Sequence, residues 1–251
     1  MSNEEKKVKE QWDKLWEKSE QKKFYFDETS EKILDTIKEI VKDIKGKKIL
    51  EIGSGTGKIS LMLAKQGAEV YLLDIAPKAI ENTKRLFNDM NEKGNFICAS
   101  MFKIPFEDES FDIVWSSGVL EHFSKKKQTE ALEETLRICK PGGFSIVYVP
   151  SARGVFYRIG KKTQEIFKRW TVGYEKPEWS LKRMKKHFKN VELKEKNIDF
   201  TNQLIFLWPG FLSRGFLKFF RKIVNPKNEK NFIKIFGGYL LMSAFKKLKD
   251  K

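Results

Sequence analysis

Short apolar runs alternate with longer segments of helical periodicity between residues 48 and 149. The runs predict strands at 48–52, 69–73, 95–98, 111–116 and 144–149. The intervening apolar residues recur at intervals of three and four, which predicts helices at 57–66, 77–90 and 126–139. Pro141-Gly142-Gly143 predicts the turn into the last of these strands. Because crossovers join such alternating elements, we expect an α/β fold with a doubly wound, mostly parallel sheet.

Two helices are predicted before the first strand. Residues 4–23 and the aromatic run that follows them carry the apolar side chains of Val8, Trp12, Leu15, Trp16, Phe24, Tyr25 and Phe26. A second helix is predicted to open at Ser30, to continue through Ile44 and to stop at Gly46. The aromatic residues of the first segment either form a lid over a binding site or pack as ordinary core, and the pattern leaves both interpretations open.

The C-terminal part contains two further strand patterns and two basic helical patterns. The strands are predicted within 190–200 and 237–248, and we expect them to pair antiparallel. In 153–170, helical phase gathers one set of side chains on one side of the predicted helix: Phe156, Ile159, Thr163, Ile166, Phe167 and Trp170. The opposite face is cationic, with Arg158, Lys161, Lys162, Lys168 and Arg169. A similar pattern recurs in 210–226. Such helices either lie on an anionic membrane or pack on the core as a cap.

The net charge of +16 is unevenly distributed along the chain. Residues 1–150 hold 25 Lys and Arg against 26 Asp and Glu, whereas residues 151–251 hold 25 against 8. A basic half beside a neutral half predicts an anionic partner such as a membrane surface, nucleic acid or an acidic substrate. A general enrichment in lysine is the alternative explanation.

The two cysteines and the hydropathy restrict the cellular setting. Cys98 and Cys139 form neither a CxxC pair nor a Cys/His cluster, so the sequence indicates no disulfide framework and no metal site. The charged N-terminus and the absence of a run of about 18 apolar residues indicate neither a signal peptide nor a membrane span. We therefore expect a cytoplasmic protein, peripheral on a membrane at most.

The sequence Glu51-Ile-Gly-Ser-Gly-Thr-Gly57 follows the first predicted strand and is the main chemical signal. Glycines lack a Cβ atom, so the backbone N–H groups of such a turn and of the following helix can close on a ligand. A Walker loop requires a glycine at position 52, where this chain has Ile52. The dinucleotide motif G-x-G-x-x-G, counted from Gly53, requires a glycine at position 58, where this chain has Lys58. Mononucleotide-type phosphate loops and NAD or FAD sites are therefore disfavoured.

These residues, with Asp74 in YLLDIAP and the run ASMFKIPFEDESFDIVWSSGVLEHF, resemble class I S-adenosylmethionine-dependent methyltransferases over about residues 45–150. The resemblance implies a Rossmann-like, seven-stranded sheet with an antiparallel last strand, and S-adenosylmethionine as cofactor. It implies that Asp74 binds the ribose hydroxyls and that Glu51 lies near the cofactor ammonium group. The implied cofactor-binding residues are Glu51, Gly53, Ser54, Gly55, Gly57, Asp74, Ile75, Ser100, Met101 and Ser116. One departure is Ala99-Ser100-Met101, where many relatives have an aspartate for the adenine amine.

The whole chain is expected to be one methyltransferase domain. It would comprise N-terminal helices (1–46), a cofactor-binding core (47–150), a basic aromatic cap with the sixth strand (151–238) and the last strand (239–251). Substrate choice is expected in the cap, because the cofactor motifs do not cover it.

His122 is the candidate catalytic residue, because it follows the fourth strand and a histidine can act as a general base near neutral pH. Its alternative role is packing at the edge of the loop, while Glu121 either orients it or caps the next helix. His187 lies in a charged segment and is assigned no role. The sequence thus predicts methyl transfer to a small-molecule or lipid-like acceptor by in-line displacement. Methylation of RNA through the basic half is the main alternative, and an NAD-binding oxidoreductase is a weaker one.

Overall fold

The structure is a computed structural model, and it describes residues 1–18, 26–168, 175–204, 224 and 228–249. The described helices are α1 (Asn3–Lys18), α2 (Glu28–Val41), α3 (Lys58–Ala64), α4 (Pro77–Asp89), α5 (Lys125–Ile138), α6 (Val155–Ile166), α7 (Lys182–Lys185), α8 (Phe200–Gln203) and α9 (Glu229–Phe236). The strands are β1 (Lys48–Ile52), β2 (Glu69–Asp74), β3 (Asn95–Cys98), β4 (Phe111–Ser117), β5 (Cys139–Pro150), β6 (Val191–Ile198) and β7 (Leu240–Lys247). A short 3₁₀ turn, Leu120–His122, follows β4.

The strands form one seven-stranded sheet in the order β3-β2-β1-β4-β5-β7-β6. The first five strands run parallel to one another, whereas β7 is antiparallel to both β5 and β6. The predicted mostly parallel sheet with an antiparallel last strand is confirmed. Strand order reverses at β1, which pairs with β2 on one side and β4 on the other, and ligands of doubly wound sheets bind at such a reversal.

The central strands β1 and β4 are buried on both faces, as expected for parallel strands covered by helices. Ile49 of β1 packs in one apolar cluster with α2 and α3, whereas Leu50 points to the opposite cluster, which includes α5. Successive side chains of a strand alternate between faces, so this separation follows directly from the sequence of β1. The core thereby fixes the carboxyl ends of β1, β2 and β4, where the predicted site residues lie.

Two predicted boundaries differ from the structure. The helix expected to run through Ile44 ends at Val41, because Lys42 leaves the helical conformation with a φ of +66° while its N–H still binds Lys38 O. The expected turn at 141–143 instead lies within β5, where Gly142 has a φ of +85°. The pairing of β4 with β5 is irregular there, since Phe111 pairs with Cys139 but Ile113 already pairs with Phe144.

The predicted apolar side of α6 is mostly exposed, at Ile159, Thr163, Ile166 and Phe167. Lys161, predicted on the cationic side, is buried instead. Packing from distant segments explains the difference: the Tyr157 ring lies 5.3 Å from that of Tyr239, measured between centroids. The Lys161 ammonium donates to Glu175 O.

Several other predictions concern residues outside the described ranges. They include Phe24, Tyr25, Arg169, Trp170 and nearly all of the second basic pattern at 210–226. Among the described helices, none combines the length and apolar character that crossing a bilayer requires.

Candidate functional site

A cavity of about 600 Å³ lies at the carboxyl ends of β1, β2 and β4. This volume is within the usual range for small-molecule sites. The wall combines the loops that follow these strands with residues of α1, α2 and the β6–β7 connection. The lining residues are Val8, Trp12, Trp16, Asp27, Thr29, Ser30, Ile33, Glu51, Ile52, Gly53, Ser54, Gly55, Thr56, Lys58, Ile59, Leu73, Asp74, Ile75, Ala99, Ser100, Met101, Phe102, Ser117, Gly118, Val119, His122, Phe123, Asn202 and Tyr239.

The glycine loop turns tightly after β1. Gly53 N and Ser54 N both donate to Leu73 O, at 2.8 and 3.1 Å, so the loop remains attached to the end of β2. Gly53 has a φ of +67°, and a Cβ atom there would lie 2.4 Å from Val119 Cγ2. Glycine is therefore required at this position by the backbone conformation and by the loop after β4.

Asp74 lies at the end of β2 and is buried. Its Oδ2 accepts from Gly55 N at 3.0 Å and its Oδ1 accepts from Ala76 N at 2.9 Å. A carboxylate has about four acceptor positions, so each oxygen retains one for a ligand hydroxyl. Burial raises the pKa of this group, whereas the backbone N–H donors oppose that rise. Asp74 thus holds the glycine loop through Gly55 N and can still accept hydrogen bonds from the two hydroxyls of a diol.

Glu51 and Ser54 present buried polar atoms to the same cavity. Glu51 Oε2 and Ser54 Oγ have no hydrogen-bond partner among the described residues. Burial, with a smaller contribution from the nearby Asp74 carboxylate, raises the pKa of Glu51 to about 8. A buried unpaired polar atom costs about 1–3 kcal/mol, so a cationic donor that reached Glu51 would be favoured.

These groups fit S-adenosylmethionine. Glu51 would hold its ammonium group, Asp74 its ribose hydroxyls, and the backbone of the glycine loop would approach the methionine and ribose portions. The observation that supports the fit is the buried, unpaired Oε2 of Glu51, a residue that lines the cavity together with Gly53, Gly55 and Asp74.

Helix α1 covers this loop with two indoles. A Cβ atom at Gly55 would lie 3.1 Å from Trp16 Cζ2, so Trp16 lies directly against the glycine loop. The Trp12 and Trp16 rings stack with centroids 6.3 Å apart. Ser100 Oγ donates to Glu5 Oε1 at 2.6 Å, which ties α1 to the loop after β3. Of the two interpretations of the aromatic N-terminal segment, the structure supports a cover over the cavity.

His122 is buried in the turn after β4 and lines the cavity. Its ring meets that of Trp12 edge to face, with centroids 5.5 Å apart. Glu121, beside it, is fully buried, and its Oε2 has no hydrogen-bond partner within the described part of the chain. Burial and the neighbouring Glu175 carboxylate raise the pKa of Glu121 well above its usual range. Glu121 is also predicted as a possible cap of the next helix. At the N-cap residue of α5, Ser124, the carboxylate that accepts hydrogen bonds is that of Glu4.

The structure brings most of the predicted cofactor-binding residues together. Glu51, Gly53, Ser54, Gly55, Asp74, Ile75, Ser100 and Met101 all line the cavity. Gly57 and Ser116 lie outside its lining. Gly57 is the N-cap residue of α3, where a Cβ atom would collide with Thr83 and Leu72. Ser116 is buried within β4 beside the lining residue Ser117. His187 is exposed, away from the cavity lining.

The lining residues that the sequence reasoning missed include Asp27, Thr29, Asn202 and Tyr239. Asn202 Nδ2 donates to Thr29 Oγ1 at 2.7 Å, and Thr29 Oγ1 donates to Asp199 Oδ2 at 2.6 Å. These contacts join the start of α2 to the segment after β6, about 170 residues apart in the chain. A local sequence pattern contains no signal for such a pair, although the N-capping position of Asp27 could have been recognised.

Comparison with known proteins agrees with this geometry. Residues 50–147 match the family described as a methyltransferase domain, and residues 2–97 match a family described as lysine methyltransferase. Demethylmenaquinone methyltransferase of Clavibacter sepedonicus is 34% identical over 108 residues, 43% of this chain and 42% of that protein. A ubiquinone/menaquinone biosynthesis C-methyltransferase of Azotobacter vinelandii is 32% identical over 108 residues, 41% of this chain and 42% of that protein.

A solved structure extends the similarity of the fold to nearly the whole chain. The Haloferax volcanii methyltransferase that was solved in complex with the Trm112 activator superposes with a TM-score of 0.59 at 16% identity, over 97% of this chain and 99% of that one. The chain spans less than half the length of the two quinone-pathway relatives that it matches.

Residues 50–147 match a methyltransferase domain, and the sheet order and the cavity chemistry resemble those of class I S-adenosylmethionine-dependent methyltransferases. This resemblance implies S-adenosylmethionine as the cofactor.

Binding of the cofactor is expected to depend on pH through Glu51. With a pKa of about 8, this carboxyl is largely protonated at neutral pH, whereas contact with an ammonium group favours the ionised form. Affinity for S-adenosylmethionine should therefore rise by up to about tenfold per pH unit between about pH 6 and 8. Calorimetry in buffers of different ionisation enthalpy should detect the released proton. In Glu51→Gln this slope should disappear, and an unchanged slope would assign the titration to another group.

Removal of the Trp16 indole is expected to uncover the glycine loop. In Trp16→Ala, S-adenosylhomocysteine should dissociate about tenfold faster, because burial of a large apolar side chain against the ligand is lost. Stopped-flow fluorescence measures that rate. Trp179→Ala is the matched control, since Trp179 is exposed and lies outside the cavity lining. Equal rates in the two variants would show that Trp16 does not cover the ligand.

Proposed function

We propose that this protein transfers a methyl group from S-adenosylmethionine to a small-molecule or lipid-like acceptor inside the cavity. The observation that carries this proposal is the apolar, aromatic character of the lining outside the cofactor-binding loops. Lys58 is the sole Lys or Arg among the described residues that line it, and the Lys58 ammonium pairs with the Asp27 carboxylate. An acceptor rich in phosphate would therefore meet little positive charge there.

The chain supplies orientation and shielding from water. S-adenosylmethionine supplies an activated methyl group when bound. Glu51, the glycine loop and Asp74 would hold the donor, and Trp12 and Trp16, which line the same cavity, would shield it from water. Because the leaving group is a neutral thioether, positioning of donor and acceptor can account for most of the rate enhancement.

His122 is proposed as the general base for an acceptor that must lose a proton. It lines the cavity, and Trp12 holds its ring from one side. Glu121, with its raised pKa, is not expected to serve as a carboxylate partner at neutral pH. The proton of a hydroxyl, amine or activated ring carbon would therefore pass to His122 itself or to water.

The acceptor class can be tested with methyl-labelled S-adenosylmethionine. Purified protein is incubated separately with a total lipid extract, a water-soluble small-molecule extract, total RNA and a proteome. Because two relatives are named for quinone pathways, demethylated quinones form a further arm. We expect label in the lipid, quinone or small-molecule arm, and none of it with Asp74→Ala. Label confined to RNA or protein would overturn the proposed acceptor class while leaving the cofactor assignment intact.

We further propose that the protein acts in the cytoplasm and contacts an anionic membrane surface. The free thiols of Cys98 and Cys139 and the excess of 25 basic over 8 acidic residues in 151–251 support this location. Such a position would give the cavity access to lipid-like acceptors.

A further inference from the structure

We infer that the outward face of α6, together with Trp179, docks the protein on an anionic lipid bilayer. This α6 surface consists of the apolar residues Val155, Ile159, Ile166, Phe167 and Trp179. Its cations are Arg158, Lys162 and Lys168. The inference rests on the proposed contact with an anionic membrane and names the surface that makes it, and it does not depend on the identity of the methyl acceptor.

The apolar side chains of the α6 surface are strongly exposed. The exposed fractions are 52% for Ile159, 68% for Ile166, 66% for Phe167 and 62% for Trp179. Val155, Ile159 and Ile166 follow one another at helical spacings of four and seven, so they lie along one side of α6. Single exposed apolar residues are common, but a contiguous group of large ones indicates an interaction surface.

The packing of α6 explains why these residues cannot turn inward. The buried side of the helix carries Tyr157, Gly160 and Lys161, and two of these make polar contacts with Glu175. Tyr157 Oη donates to the Glu175 carboxylate, and the Lys161 ammonium donates to its backbone oxygen. A rotation that buried Ile159 and Ile166 would bring Lys161 to the surface and break both contacts.

The charge around these side chains identifies the partner. Arg158 lies over the Trp179 ring, with its Cζ 5.7 Å from the ring centroid. Lys162 on the same helix and Lys168, two residues after its end, are exposed. Glu165 is the acid on this helix, and its carboxylate lies 3.7 Å from the Lys161 ammonium. Isoleucine, phenylalanine and tryptophan flanked by cations match the interface of an anionic bilayer, where apolar groups enter the headgroup region and cations meet phosphates.

The α6 surface is close to the cavity in the fold. Helix α6 begins five residues after β5 ends at Pro150, at the edge of the sheet where the cavity opens. On its inner side, Tyr157 contacts Tyr239, which lines the cavity. Docking through the outer side would therefore hold the cavity beside the bilayer rather than away from it.

Co-sedimentation with vesicles tests this inference on the full chain. Vesicles of phosphatidylcholine alone are compared with vesicles that also contain phosphatidylglycerol, at low and high salt. We expect binding to the anionic vesicles at low salt and weak binding in the other conditions. Lys162→Glu with Lys168→Glu should weaken binding by about tenfold to hundredfold. Ile159→Ser with Phe167→Ser and Trp179→Ser should weaken it by at least about tenfold.

A matched charge control uses the opposite edge of the sheet. Lys45→Glu with Lys65→Glu also reverses two exposed cations, but these precede β1 and β2 at the amino ends of the strands. This control should bind anionic vesicles within about twofold of the unchanged protein, after correction for net charge. All variants should retain their affinity for S-adenosylmethionine, which shows that they are folded and keeps this test separate from the methyl-transfer proposal.

Three results would overturn the inference. One is absence of binding to anionic vesicles at low salt. Another is equal loss of binding in the Lys45/Lys65 control, which would show that net charge alone acts. The third is binding unaffected by the Ile159/Phe167/Trp179 changes together with tighter binding to RNA, because phosphates contacted by cations alone do not require exposed isoleucine.

Discussion

Asp74→Ala is expected to lower the affinity for S-adenosylmethionine by about a hundredfold or more while the protein stays folded. The carboxylate is placed to accept from the ribose hydroxyls, and each hydrogen bond to a charged group contributes about 1.5–3 kcal/mol. It also accepts from Gly55 N and Ala76 N, so its removal loosens the glycine loop from the end of β2. Calorimetric titration of the variant measures the loss, and circular dichroism checks the fold.

Asp112→Ala is the matched control for that experiment. Asp112 also accepts from a backbone N–H, that of Lys48 at 2.9 Å, but it lies at the amino end of β4, away from the cavity. This variant should lose some stability and keep its affinity for the cofactor. If Asp74→Ala bound S-adenosylmethionine as tightly as Asp112→Ala does, the assignment of Asp74 to the ribose would be wrong.

Gly57→Ala is expected to lower the free energy of unfolding by about 3 kcal/mol. Two costs combine: a φ of +66° that an L-residue adopts at about 1–2 kcal/mol, and overpacking, because the new Cβ would lie 2.4 Å from Thr83 Cγ2 and 2.9 Å from Leu72 Cδ2. Thr83 cannot move away freely, since its hydroxyl donates to Gly55 O at 2.7 Å. Thermal unfolding should show a decrease of roughly 10 °C in Tm.

Gly46→Ala separates the two costs. Gly46 has a nearly identical φ of +70°, but a Cβ atom there would meet nothing within 4 Å. Its substitution should therefore cost about 1 kcal/mol, the backbone term alone. Equal losses of stability in the two variants would show that Thr83 and Leu72 relax around the added methyl group and that packing does not fix glycine at position 57.

The central sheet could be predicted because its signals are local. The run from Lys48 to Ile52 is apolar, short and followed by glycines, and each later strand repeats the same contrast with its neighbouring helix. The glycine loop, Glu51 and Asp74 could be predicted to meet, because the carboxyl ends of adjacent parallel strands lie at one edge of a sheet. His122 follows the same rule from β4.

The orientation of α6 and the position of Asn202 and Tyr239 in the cavity wall could not be predicted, because they depend on contacts between segments that are distant in the chain. The outward orientation of Ile159 follows from the interactions of Tyr157 and Lys161 with Glu175 and Tyr239, which no helical pattern in 153–170 encodes. Similarly, Lys32 joins α2 to Asp199 and Glu229, at 3.2 and 2.5 Å between its ammonium and their carboxylates. Such pairs place Asn202 and Tyr239 in the cavity wall, and sequence spacing contains no information about them.

The most direct test of the account is calorimetric titration of the purified chain with S-adenosylmethionine, S-adenosylhomocysteine and NAD in parallel. The glycine loop, the unpaired Glu51 carboxyl and the ribose-facing Asp74 predict saturable binding of the first two, lost in Asp74→Ala, and no binding of NAD. Binding of NAD alone, or of none of the three by a folded protein, would contradict the assignment of this cavity to S-adenosylmethionine.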